Sequence, residues 1–215
     1  YWPNYISQLI SLRKGGDSMA MLFCLVGWME KYQGLEEDSI KGGGSYIAEH
    51  GTGSEIHNYS IETIPEDFNF VSDRSDGFVD VCRGFVNCNS QIRIENIGAD
   101  ERDDYIDVVT VIWGAKDPCH GKVYIVGWYK NARVYRYFQD PTPNTVRDYD
   151  GCYYNVEAKA SDCVLLPNRL RRRLIPRAKS KESGGMGRSN FWYAQGEKNE
   201  GIVQGVVNYI EQFGK

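Results

Sequence analysis

Asp150, or Asp148 before it, precedes Glu157-Ala-Lys159 on a stretch that alternates like a strand. An acid followed by Glu-x-Lys on a strand is the minimal pattern of the PD-(D/E)xK-like nucleases. Two carboxylates hold Mg²⁺, and the lysine orients or activates the attacking water. The pattern is short, and Glu157 and Lys159 would sit equally well on the polar face of a half-exposed strand. Mg²⁺ is therefore expected only if the chain is a nuclease, and no other cofactor is called for. No metal centre is expected from the remaining donors: His50 and His57 flank Glu55, Cys119 adjoins His120, and Cys82 and Cys88 lack a second pair, none of them a standard zinc spacing. Walker loops, dinucleotide fingerprints, nucleophile elbows and HExxH motifs are missing from the sequence.

Aromatic residues form the second group. They make up 13% of the chain, with 15 tyrosines, an excess that suits both β-structure and ligand walls. Trp28, Trp113, Trp128 and Tyr129 are the candidates to line a pocket, because Trp113, Trp128 and Tyr129 fall at the expected ends of strands. A large aromatic at a sheet rim can stack a nucleobase, and it can equally well cover the core. Asn131, Asp107 and Asn155 are the polar residues available to read a base edge.

The third group is basic. Residues 168–188 hold Arg169, Arg171, Arg172, Arg173, Arg177, Lys179, Lys181 and Arg188 against one acid, Glu182. The whole chain carries a net charge of −4, so this segment is a cationic patch on a strongly acidic body. Such asymmetry excludes indiscriminate coating of nucleic acid and points to an anionic partner at one place. The glycines of Ser183-Gly-Gly-Met-Gly187 would let backbone N–H groups approach a phosphate. A solvated surface paired with acids is the competing reading.

These residues need a scaffold, and the hydropathy pattern supplies one. Met21–Trp28 is a continuous apolar run that reads as a buried strand. Glu30–Leu35 reads as a helical turn, and the glycine-rich stretches 41–44 and 50–53 as irregular loops, either free at the surface or packed against a ligand. Strands are expected at 78–86 and 91–97. Residues 107–138 read as a three-stranded meander: 108–113, a turn at 116–121, 123–129, a tight turn at Lys130-Asn131, and 132–138. Residues 140–150 read as a loop, 152–159 and 190–194 as strands. Ile202, Val203, Val206, Val207, Ile210 and Phe213 recur at helical spacing and predict an amphipathic helix near 199–213. Strands first and a packing helix last give an α+β fold with a curled antiparallel, barrel-like sheet. Residues 1–18 read as an N-terminal appendage, of native or foreign origin, and 19–215 as one β-rich domain. The six cysteines read as free thiols of a reducing, cytoplasmic compartment, and no apolar run approaches membrane-spanning length.

The runs Val123–Arg136 (VYIVGWYKNARVYR), Met21–Gln33 (MLFCLVGWMEKYQ) and Glu157–Pro167 (EAKASDCVLLP) resemble uncharacterised prokaryotic proteins of restriction and mobile-element settings. More broadly, the chain resembles modified-base readers of the PUA, EVE and SRA type, small curled sheets with an aromatic pocket and basic loops. That resemblance implies a class of ligand and assigns no site residue.

Three functions follow as expectations. The first is a nucleic-acid-binding module, with DNA the expected partner, that recognises a modified, flipped base within a modification-dependent restriction system, alongside a nuclease domain or subunit. The others are a Mg²⁺-dependent nuclease using Asp150, Glu157 and Lys159, and a protein-interaction domain. The first requires the basic segment 168–188 to fold beside the rim where Trp113, Trp128 and Tyr129 end.

Overall fold

The computed structural model describes residues 20–66, 76–180 and 182–213. The appendage expected at 1–18 and Lys181 lie outside the described residues.

Eight strands form one mixed sheet: β1 (Met21–Val26), β2 (Ile61–Pro65), β3 (Phe78–Gly84), β4 (Tyr105–Lys116), β5 (Val123–Gln139), β6 (Tyr154–Lys159), β7 (Cys163–Leu165) and β8 (Phe191–Trp192). The order across the sheet is β2-β3-β6-β5-β4-β1-β8, with β7 paired to β5 off this path. Three helices accompany them among the described residues: α1 (Ser45–His50), α2 (Val146–Tyr149) and α3 (Glu197–Glu211). The α+β class holds. The sheet is open, with β2 and β8 at its two ends, so a closed barrel is not formed among the described residues. None of the described helices is long and apolar enough to cross a membrane.

The continuous apolar run at β1 follows from its position. It lies between β4, to which it runs parallel, and β8, and both of its faces are covered. Leu22, Cys24 and Val26 enter one apolar cluster, and Met21 and Phe23 enter another on the opposite face. The second cluster is closed by α3 through Val206, Val207 and Ile210, as the helical spacing predicts.

The expected three-stranded meander is instead one hairpin. β5 runs unbroken through Lys130-Asn131 for 17 residues. Asn131 does take a positive φ of 49°, as a turn residue would, but Val108 on β4 takes a φ of 62° and the pairing register shifts beside it. Irregularities on both partners bend the pair together and do not reverse the chain. The bent β5 pairs with β7 at Gly127–Tyr129 and with β6 from Arg133 onward.

Two smaller expectations also change. Residues 30–35 form bends, held by the Asp38 carboxylate, which accepts the N–H groups of Glu30 (3.0 Å), Lys31 (2.6 Å) and Tyr32 (3.2 Å). Residues 91–97 contain a 3₁₀ turn, Ile94–Ile97, that buries Ile94 and Ile97. All six cysteines are unpaired.

Candidate functional site

Strand alternation separates the aromatic residues that the sequence groups together. Trp113 (0% exposed) and Tyr129 (0%) lie in the first apolar cluster, with their rings 5.3 Å apart and edge-on. Trp128 (1%) lies in the second cluster, on the other side of the sheet, 5.6 Å from Phe213. The pairing steps from Trp113–Gly127 to Gly114–Ile125, so Val126 is an extra residue on β5 and the faces switch there. These three side chains are core and cannot serve as a stacking platform at a rim. The packing leaves no slack: a Cβ at Gly84 would sit 2.8 Å from Trp113 Cη2 and 3.2 Å from Tyr129 Cε2.

Trp28 is half-buried, and the Arg171 guanidinium covers its ring at 4.9 Å. Asn131 is exposed, with its amide donating to Asp162 at 3.2 Å. The other polar candidates are also engaged. Asp107 accepts two bonds from Arg133 (2.8 and 3.2 Å), and buried Asn155 holds the backbone N–H and carbonyl of Val86 (3.0 and 2.8 Å).

The three residues of the nuclease pattern are not assembled. Glu157 is 3% exposed, and its two oxygens accept from Arg83 Nε (2.8 Å) and the Tyr135 hydroxyl (2.9 Å). Arg83 also donates to Glu62 (2.8 Å) and to Thr142, and it lies 4.6 Å over the Tyr154 ring. Lys159 is half-buried at the end of β6, across from Val81. Asp150 follows α2 and accepts a 2.7 Å bond from His57 Nε2. Among the described residues no three His, Cys, Asp or Glu side chains converge as metal ligands.

His57 also meets the Ser60 hydroxyl through Nδ1 at 2.9 Å, which gives the connectivity Ser60–His57–Asp150. The sequence reading missed this chain of bonds, because its members lie 93 positions apart. A hydrolytic triad needs a reachable nucleophile and a buried acid. Here the serine is 7% exposed and the aspartate side chain 50%, so the polarity is inverted and the group ties the 54–60 turn to α2. Cys152 nearby is buried, and that burial raises its thiol pKa, which disfavours the thiolate. The glycines at 43 and 53 make room for an internal carboxylate and not for a ligand. A Cβ on Gly53 would sit 2.7 Å from a Glu55 oxygen, and Gly27 N–H donates to Glu55 at 3.3 Å.

The basic segment does run beside the central hairpin. Ile125 N–H donates to Arg173 O, and Ile175 N–H to Val123 O, both at 2.9 Å. The alternating exposure of this extended stretch divides its arginines. Arg171 is 4% exposed and donates to the carbonyls of Leu166 (2.8 Å), Met29 (2.5 Å) and Glu30 (2.9 Å). It is therefore structural, not a phosphate ligand. Arg173 is half-buried against α3 at Gly205. Arg169, Arg172, Arg177, Lys179 and Arg188 are exposed, and none of the five has an acidic partner among the described residues. The Ser183–Gly187 loop is packed: Gly185 N–H donates to Asn199 (3.1 Å), and a Cβ there would meet Pro176 O at 2.7 Å.

At the end of this segment lies a hollow of about 260 Å³, walled by Asn87, Asn89, Ser90 and Gln91 on one side and by Arg188 and Phe191 on the other. No carboxylate lines it. The sequence reading did not find it, since neither short polar run carries a motif. No family model, curated protein or solved structure matches the chain.

Proposed function

We propose that the chain is a nucleic-acid-binding module that grips the phosphate backbone with Arg169, Arg172, Arg177, Lys179 and Arg188. One observation carries this reading. Five exposed cations on a protein of net charge −4 have no internal carboxylate to neutralise them among the described residues. An acid-paired surface, the competing expectation, would have shown such pairs. Uncompensated cations are the electrostatic footprint of a polyanion. The acidic remainder of the surface repels the same polyanion and confines it to this strip.

The bend of β5, which pairs in turn with β4, β7 and β6, supports a curled, PUA-like sheet as the platform. Within this proposal DNA with a modified base, in a restriction setting, is the finer identity of the ligand. The nuclease reading gains no support, because the Glu157 oxygens are occupied by Arg83 and Tyr135.

The test is a binding panel of plain, methylated and hydroxymethylated duplexes and single strands, read by fluorescence anisotropy at low salt. The wild-type chain binds, and R169E/R172E weakens every complex. If no nucleic acid binds, or if the charge reversal changes nothing, the proposal is wrong.

A further inference from the structure

We propose that the hollow between residues 87–91 and 188–191 is a subsite for one unpaired nucleotide, so that the strip prefers single strands or splayed-out bases to intact duplex. This inference rests on the nucleic-acid reading above. Its chemistry is specific. Among the described residues, the side chains of Asn87, Asn89, Ser90 and Gln91 make no hydrogen bond, and neither does that of Arg188. An amide side chain offers a donor and an acceptor side by side, which matches the edge of a nucleobase. Arg188 supplies the charge for the adjoining phosphate, and the part of half-buried Phe191 left uncovered by the first apolar cluster supplies apolar surface for the base. The absence of any carboxylate from the lining fits an anionic ligand. The size fits too: about 260 Å³ is near the lower end of small-ligand sites and far too small for a base pair with its backbone.

The two walls are held in place before any ligand arrives. Phe191 sits on β8, paired to Cys24 of β1, and Asn190 O accepts Leu25 N–H at 2.6 Å. On the other wall, buried Asn155 clamps Val86 at both its N–H and its carbonyl, and Ile92 N–H donates to Arg136 O at 2.9 Å. Two bonds cross between the walls: Asn190 Nδ2 donates to Asn87 O (3.3 Å), and Arg93 N–H donates to the Tyr193 hydroxyl (2.8 Å). A preformed hollow loses little entropy on binding.

The experiment compares a labelled single-stranded oligonucleotide, the same strand with abasic sites and the matching duplex, each against wild type, N89A/Q91A, F191L and R169E/R172E. Unchanged thermal unfolding of N89A/Q91A, of which Asn89 is exposed and Gln91 half-buried, serves as the folding control. Wild type is expected to bind the ordinary strand about ten-fold more tightly than the abasic one. N89A/Q91A and F191L lose that ratio and keep their abasic affinity. R169E/R172E weakens all three ligands and keeps the ratio. Equal binding of ordinary and abasic strands by wild type, or an unchanged ratio in N89A/Q91A, overturns the subsite while leaving the phosphate strip standing. An R169E/R172E variant that binds like wild type overturns the parent reading instead. If no strand binds, both fall.

Discussion

Arg83 Nε donates to Glu157 Oε1 at 2.8 Å across β3 and β6, with side-chain exposures of 7% and 4%. The pair lies on the face of the sheet opposite Cys82, Val156 and Val134, and it extends sideways to Glu62 and Tyr135. A buried ion pair adds little net stability, because desolvation offsets the attraction, but breaking one leaves a buried charge exposed to that cost. Glu157→Ala is therefore expected to destabilise the fold by about 3 kcal/mol, the low end for a broken buried pair because Glu62 remains on Arg83. Glu157→Gln keeps the acceptor for Tyr135 and costs less. Urea unfolding measures both, and an unmoved midpoint in Glu157→Ala would refute this role.

The same pair shows what the sequence could and could not reveal. β1 and α3 were legible because each is specified by a local pattern: a six-residue apolar run covered on both sides, and a 3.6-residue period with one face on the core. Lys130-Asn131 was misread because the local signal is the same for a turn and for a bulge. Only the matching distortion at Val108, 23 residues earlier, decides between them. Trp113 and Trp128 fall on opposite faces because Trp128 pairs with Ile112 and Trp113 with Gly127, a register that only the folded hairpin fixes. Glu157 looked catalytic because its partner Arg83 lies 74 positions away. The unpaired state of Arg169 and Arg172 was likewise invisible, since pairing is a property of the surface and not of the run.

The Arg171-Arg172-Arg173 run should split under mutation. Arg171 satisfies the nearby carbonyl of Leu166 and those of Met29 and Glu30 in a distant segment, and lies over Trp28, and burial lowers its pKa even so. Its removal strands those carbonyls, each worth about 1 to 3 kcal/mol when left unsatisfied and buried. Arg171→Ala is expected to lower the unfolding free energy by at least about 2 kcal/mol, whereas Arg169→Ala and Arg172→Ala stay within about 0.5 kcal/mol of wild type, as exposed substitutions do. Denaturant titrations of the three single variants check this. Equal stabilities would show that the segment is uniformly superficial.

Glu55 gives the fold a pH dependence of known sign. Burial raises its pKa above the ordinary carboxylate value, and the Gly27 N–H only partly opposes that. A raised acid pKa means that the folded chain holds its proton longer than the unfolded chain does. Between the unfolded and folded pKa values, stability therefore falls as pH rises, and above the folded pKa the full cost persists. Below the unfolded value, near 4, both states are protonated and the cost vanishes. Glu55→Gln keeps a carbonyl for Gly27 and removes the charge. It is expected to be more stable than wild type at pH 7 and to match it near pH 4. Melting curves across that range test the assignment, and a difference that grows toward acid would reverse it.

The five unpaired cations also fix how binding must respond to salt. Each phosphate contact releases condensed counterions, so the slope of log K against log salt reports how many contacts form. Five contacts predict a slope of about −3.5 on a single strand and about −4.5 on B-form duplex. Arg171 adds nothing to this count, because its donors already hold backbone carbonyls. R172A should therefore flatten the slope by about 0.7 to 0.9, and R169E/R172E by at least about 1.4 to 1.8. N89A/Q91A changes no charge and should move the line without tilting it. Anisotropy titrations from low to physiological salt separate these effects. A wild-type slope near zero would mean that the affinity comes from somewhere other than Arg169, Arg172, Arg177, Lys179 and Arg188.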